Sequence, residues 1–403
     1  MKILIHADEY YPTAQACAYR MQVIADALVS AGYSVTVIAS SANKKGCAAA
    51  PNSRKEKILY APAIQMKKKT AVMRLLNNLS FALTSFFVSL AAGKADVVIT
   101  TSPPLLISIS GWLIARCKRA LLVYDVRDIW PDVAIEMGSI SKTGMMSRVF
   151  QRIANYMYRR ADIVTTVSHG KVQKLQRYVA NLSGDDHTGK VWLVSNGFDE
   201  RVINSPTEED VVRHYDMDRV PSCVYIGNIG VAQGLNILLH IAENTKHREI
   251  RFLCFGTGAE RDVLERQAAE NGLKNVTFCG AIEHDKVNSI LSHAKLSFIP
   301  LKSGSMRDSI PTKLYEALGL GCPVLLAAEG DATDLLDDIG LGKHVPPEQA
   351  DLLTETFDDM LDHYDIYVQH RQDASRLVRE RYSRQQAAKS FAEKLNEYIN
   401  VGL

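Results

Sequence analysis

The residues best placed to do chemistry lie between Pro300 and Val324. Asp308 and Glu316 stand eight positions apart, with Arg307, Pro311, Thr312 and Lys313 beside or between them. This spacing puts one carboxylate in a loop and the other on the next helix, where both can face one ligand. Thr312 suits the N-cap of that helix, with Tyr315 where a capping box would place Glu. The helix start, Arg307 and Lys313 together would neutralise a diphosphate, because orphan N–H groups and two cations converge on one turn. Glu316, one turn further in, would accept two hydroxyls of a sugar or ribose. The plainer reading is a surface helix with solvated charges, but groups for anions and for hydroxyls meeting at one turn argue for a binding site.

Two glycine-rich turns follow apolar runs. Gly227, Asn228, Gly230 and Gln233 belong to one, and Gly256 and Gly258 to the next. Such turns let backbone approach a ligand, yet each alone is as often a plain connection. The segment Asp8–Ala16 leads into a helix carrying Arg20; it has no G-x-G-x-x-G, so a dinucleotide fingerprint is missing there. Arg127-Asp128 follows another apolar run: Asp128 would accept a proton, and Arg127 would pair with a phosphate or with Asp128. An Arg–Asp pair that merely locks the loop fits equally well. Asp216-Met217-Asp218 is formally a D-x-D but lies in a polar linker and reads as solvated charge. His6 and His169 read as packed residues, and the sequon at Asn181 has no secretory context.

Elements that could position these groups alternate along the chain. Strand-like runs occur at 2–6, 34–39, 96–100, 121–125, 163–167 and 191–194, and again at 222–226, 251–255, 276–278, 296–300 and 323–327. Helical patterns lie between them, at 20–31, 235–243, 260–271, 285–294 and 312–318. Alternation of this kind means parallel sheets covered by helices. The polar stretch near 205–220 splits it into two, so the expected architecture is α/β: two doubly wound, Rossmann-like parallel-sheet domains facing a cleft. The expected boundaries are 1–205 plus 384–403 for the first domain and 206–383 for the second.

The chain has 403 residues, 47% hydrophobic and 23% charged, which fits a folded protein of two domains. With 47 basic and 45 acidic residues the net charge is +2, which offers nothing to nucleic acid as a whole. Seven cysteines without a C-x-x-C argue against a disulfide framework or structural zinc and suit a reducing cytosol. The apolar run at the N-terminus is too short for a secretory leader. Segments 75–93 and 97–115 are uncharged, but polar residues in the first and Pro103-Pro104 in the second argue against spans.

Residues 300–324 resemble the donor-site signature of GT-B glycosyltransferases of family 4. Asn196–Asp199 resembles that family's turn at the end of its first domain, and Gly227–Gly234, Gly256–Gly258 and Cys279–Ile282 follow in the family's order. The resemblance implies a retaining, metal-independent transferase that uses a sugar nucleotide and needs no cofactor, with the last helix crossing back onto the first domain. Carried over, Glu316 would contact the donor ribose, backbone at 310–314 the diphosphate, Asp308 the donor sugar, and Ala281 and Ile282 the base. Thr13, Gln15 and Arg20 would lie on the acceptor side, with Asp128, Arg127 and Asp308 as the catalytic candidates. The family's basic pair after Gly227 is replaced by Asn228 and Gln233, which leaves Arg307 and Lys313 to meet the diphosphate.

No acidic residue occurs between Glu56 and Asp96, whereas Lys57, Lys67, Lys68, Lys69, Arg74 and Lys94 do. Within that stretch Leu75, Leu79, Leu83, Phe86 and Leu90 recur at helical spacing. A second acid-free stretch, 137–161, pairs Met146, Val149, Phe150, Ile153 and Met157 with Arg148, Arg152 and Arg159. Basic amphipathic helices with bulky apolar faces suit a membrane surface, each basic residue contributing ~1 kcal/mol near anionic lipid. For the first stretch the membrane is the preferred reading; for the second, packing on the sheet. The expected location is the cytoplasmic face of the inner membrane, peripheral or monotopic, with UDP-sugar and a polyprenyl-diphosphate-linked acceptor as partners. Overall likeness is greatest to bacterial O-antigen and capsule transferases of N-acetyl-L-fucosamine; with an L-sugar, a β donor and an α product make the net outcome inversion. The alternatives are a UDP-sugar epimerase of GT-B-like fold and a non-catalytic membrane scaffold.

Overall fold

The computed structural model describes all residues except 13–15, 44–53, 66–69, 137, 184–187, 303–305 and 402–403. The expected acceptor residues Thr13 and Gln15, and the basic run Lys67–Lys69, therefore lie outside the described residues. The chain divides into two units, Met1–Asn196 with Arg384–Leu403, and Gly197–Ser383.

The first unit holds seven strands: β1 (Lys2–His6), β2 (Ser34–Ser40), β3 (Lys57–Ala61), β4 (Val97–Ser102), β5 (Leu121–Val126), β6 (Ile163–Thr166) and β7 (Val191–Leu193). They form one sheet in the order β3-β2-β1-β4-β5-β6-β7, every neighbouring pair parallel. The second unit holds β8 (Ser222–Ile226), β9 (Arg251–Phe255), β10 (Val276–Gly280), β11 (Leu296–Pro300), β12 (Val324–Ala327) and β13 (Gly342–Val345). Their order is β10-β9-β8-β11-β12-β13, again all parallel. Central strands such as β4 and β12 are buried along their whole length, because helices cover both faces. Strand order reverses between β1 and β4 in one sheet and between β8 and β11 in the other, and ligands in such sheets sit outside the strand carboxyl ends at that reversal.

The boundary falls earlier than the polar linker suggests. Phe198 is fully buried in the core of the second unit, its ring where a Cβ on Gly319 would stand. Phe198 N donates to Tyr382 O at 2.6 Å, so outgoing and returning chain run side by side within that unit. The final helix, Arg384–Val401, lays Ala388, Phe391 and Leu395 into the core of the first unit, while Tyr398 is 41% exposed and meets the Trp192 ring edge-on. Pro104 does not break a helix but caps one, Leu105–Lys118, its fixed φ serving the helix start.

Candidate active site

In the second unit the carboxyl ends of β8, β9, β10 and β11 present the Gly227, Gly256, Ala281 and Asp308 loops. Close packing of backbone explains two of the glycines. A Cβ on Gly256 would stand 1.8 Å from Gly227 O, and one on Gly258 would stand 2.0 Å from Ile229 O. The two turns therefore lie flat on each other, which no other residue type permits.

The helix Thr312–Gly319 starts beside them. Its N-cap is Pro311, without a side-chain cap bond, so the expectation for Thr312 is corrected: it is the first helical residue. Proline takes the cap because its φ suits that position, and it offers the first N–H groups no side-chain acceptor of its own. Lys313 reaches back over β8. Its Nζ donates to Tyr225 Oη at 3.1 Å and lies 4.2 Å from the ring centroid, while Tyr225 Oη donates to Asn228 O at 2.6 Å. A Cβ on Gly227 would approach that Nζ to 3.5 Å. The ammonium is enclosed, and its loss of hydration lowers the Lys313 pKa to about 7 against the opposing pull of Glu316. One turn on, Glu316 Oε1 is 3.0 Å from His284 Nε2, the carboxylate side chain being 12% exposed.

Other expected donor residues are differently engaged. Gln233 Oε1 accepts from Gly230 N at 3.2 Å and from Asn228 Nδ2 at 3.3 Å, so these three close their own turn. Arg307 is exposed and paired with Glu329, Nε to Oε2 at 2.7 Å, while Asp331 N, beyond the end of β12, donates to its carbonyl at 2.9 Å. That pairing corrects the expectation of two cations on one turn, since its charge is already answered, while among the described residues Lys313 has no salt bridge. Asp308 is half-buried, Ala281 exposed, and Ile282 packs on the core.

In the first unit Arg20 is not available to a ligand. It is 2% exposed, forks onto Asp125 at 2.7 and 3.2 Å, and donates to Val194 O at 2.7 Å. Thr165 and Thr101 complete the shell around Asp125. The expected acceptor-side role is corrected: Arg20 is an internal strut tying the first helix to β5 and β7. Arg127 and Asp128 do not form a salt bridge either. Arg127 donates to Thr101 Oγ1 at 3.2 Å and to Pro103 O, while Asp128, 40% exposed, has Lys171 at 3.9 Å. Beside them burial raises Asp8, and burial with the neighbouring Asp8 charge raises Glu9 to about 7, Arg127 opposing both.

Sequence models of known families cover most of the chain. The model described as glycosyl transferases group 1 matches residues 209–381, and the glycosyl transferase 4-like domain matches 16–182. The chain is a GT-B glycosyltransferase. It is 24% identical over 372 residues, covering 88% of this chain and 90% of the other, to the putative colanic acid biosynthesis glycosyl transferase WcaI of Escherichia coli K12. In fold it matches a sucrose-phosphate synthase from Thermosynechococcus elongatus at TM-score 0.81 with 16% identity, 99% of each chain being covered. Anabaena HepE in complex with UDP matches at TM-score 0.73 with 16% identity, over 98% of this chain and all of that one.

Three residues of this glycosyltransferase escaped the sequence reading. Tyr225 is spaced like any core strand residue, and His284 lies in a short polar turn. Glu9 lies in the loop after the first strand, where two adjacent acids are a usable signal.

The helix Ala71–Ala91 of the glycosyltransferase is turned inside out. Its buried face carries Asn77, Ser85 and Ser89 with Phe81, whereas Leu83, Phe87 and Leu90 are 63%, 60% and 54% exposed. The inner polar groups are satisfied: Ser85 Oγ is 2.9 Å from His6 Nε2, and Asn77 Nδ2 donates to Ile64 O at 2.6 Å. In the helix Met145–Arg160, by contrast, Met157 is buried and Phe150 and Ile153 pack on the sheet, while Met145 and Met146 are exposed. Among the described residues no helix is long and apolar enough to cross a membrane.

Proposed function

We propose that this glycosyltransferase moves a sugar from a UDP-sugar to a polyprenyl-diphosphate-linked GlcNAc at a membrane surface, in the assembly of a bacterial surface polysaccharide. The observation that carries the donor half is Lys313: a poorly hydrated ammonium at the Gly227 turn, one helical turn from Glu316. A diphosphate arriving there replaces the missing solvation of the ammonium, and Glu316 takes the ribose hydroxyls. UDP as the carrier is supported by the likeness to HepE, whose structure holds UDP. The polysaccharide context is supported by WcaI, named for colanic acid biosynthesis. The donor sugar we propose is an N-acetylated deoxyhexose such as N-acetyl-L-fucosamine.

The acceptor half rests on the inverted helix Ala71–Ala91, whose exposed leucines and Phe87 would enter the headgroup region of the cytoplasmic leaflet while Arg74 and Lys94 meet anionic lipid. Transfer is proposed to need no cofactor or metal ion. The leaving diphosphate is stabilised by Lys313 and the helix start, and the acceptor hydroxyl loses its proton to the departing phosphate oxygen or to Asp128. A panel of UDP-sugars with a synthetic lipid-diphosphate-GlcNAc, read by mass spectrometry, tests this. A product heavier by one sugar, with UDP released, is expected. Conversion of a UDP-sugar without acceptor, or no turnover with any donor, contradicts it.

A further inference from the structure

Glu316 does not stand alone. Its Oε1 is 3.0 Å from His284 Nε2, in the turn that follows β10, and its carboxylate is mostly buried. A carboxylate oxygen only accepts, so the imidazole places a proton on Nε2 and donates. Among the described residues no hydrogen bond falls on Oε2, which is not sealed from solvent. The charge of Glu316 also acts on Lys313, one turn back. One oxygen is thus anchored and the other offered.

We infer that His284 is a positioning residue for nucleotide recognition: through Nε2 it holds the Glu316 carboxylate so that the open oxygen accepts the ribose hydroxyls. The inference rests on the donor-site reading above. A glutamate side chain has three rotatable bonds, and freezing it on binding would weaken each hydrogen bond it makes. Anchoring one oxygen removes that cost beforehand, and it turns a general attraction for hydroxyls into a directional one. His284 itself touches no reacting atom.

The test compares UDP with 2′,3′-dideoxyuridine diphosphate, by calorimetry, on the full chain and on H284A, H284Q and E316A. Gln can place its amide nitrogen near the imidazole Nε2 position and donate the same bond. Wild type is expected to prefer UDP by about tenfold or more, as fits one or two charge-assisted hydrogen bonds. E316A should lose the preference, H284A most of it, and H284Q should keep it. In turnover, H284A should raise KM for the donor with kcat nearly unchanged. Full discrimination retained by H284A, with E316A indiscriminate, overturns the inference and leaves the donor site standing. Discrimination retained by E316A overturns it too, because the hydroxyls then bind elsewhere. Wild type that binds neither nucleotide overturns the inference together with the donor-site reading.

Discussion

The ammonium of Lys313 lies 4.2 Å from the centre of the Tyr225 ring and 3.1 Å from its hydroxyl, within a turn whose glycine leaves it room. Enclosure brings the Lys313 pKa down to about 7, whereas an unfolded lysine titrates near ~10.4. Burial therefore opposes a charge that a diphosphate would restore. At pH 8 UDP binding should take up roughly 0.9 proton, as Lys313 goes from mostly neutral to charged. Calorimetry in buffers of different ionisation enthalpy measures that number.

The same residue sets a stability profile. Below its folded pKa of about 7, Lys313 carries its full burial penalty, which fades as pH rises to the unfolded value and is gone above it. Lys313→Met should raise the melting temperature at pH 6, and the gap over wild type should close towards pH 10.5 (roughly the unfolded lysine value). Thermal melts across that range check the sign.

Gly256 and Gly272 both have positive φ, +145° and +67°, but only Gly256 lies against backbone. Gly272→Ala should cost about 1–2 kcal/mol, the strain of a left-handed residue alone. Gly256→Ala must also part the two turns, so it should cost at least ~3 kcal/mol and weaken UDP binding. Urea unfolding of the two variants gives the comparison.

Arg20 separates a structural from an acceptor role. It and Asp125 are 2% and 1% exposed, so Arg20→Met leaves a buried carboxylate without its cation. A loss of about 3–5 kcal/mol, or failure to fold, is expected. A folded, equally stable variant with a raised KM for acceptor would restore the acceptor reading.

On the helix Ala71–Ala91, Leu83→Glu with Phe87→Glu changes two side chains that are 63% and 60% exposed. Stability should move by no more than about 0.5 kcal/mol. Binding to vesicles of anionic lipid should fall at least about tenfold, because the apolar contact is lost and negative charge is added. Vesicle flotation at low salt checks both halves against a melt.

Both sheets were legible because their central strands are short apolar runs separated by helical patterns. The edge strands β3 and β13 were not: Lys57–Ala61 is half-exposed, and Gly342–Val345 carries Lys343 and His344. β13 lacks the continuous apolar run of a strand buried on both faces, whereas Ile58–Ala61 of β3 has one and was a usable signal. The Asp308–Glu316 spacing and the glycine turns could be read in advance because they are local. What each cation meets could not. Arg307 and Lys313 look alike in sequence, yet one meets Glu329 from the next loop and the other lies on Tyr225 from β8. Arg20 looked available for the same reason, its partner Asp125 being 105 positions away.

The central claim is that the turn opening the Lys313 helix grips an anionic sugar carrier. Titrating UDP into wild type and into Lys313→Met with Glu316→Gln, both verified as folded, tests it most directly. The account predicts binding to wild type and a loss of about 100-fold or more in the double variant, as expected for removing two charge-assisted contacts. Equal affinity for the two proteins would contradict it.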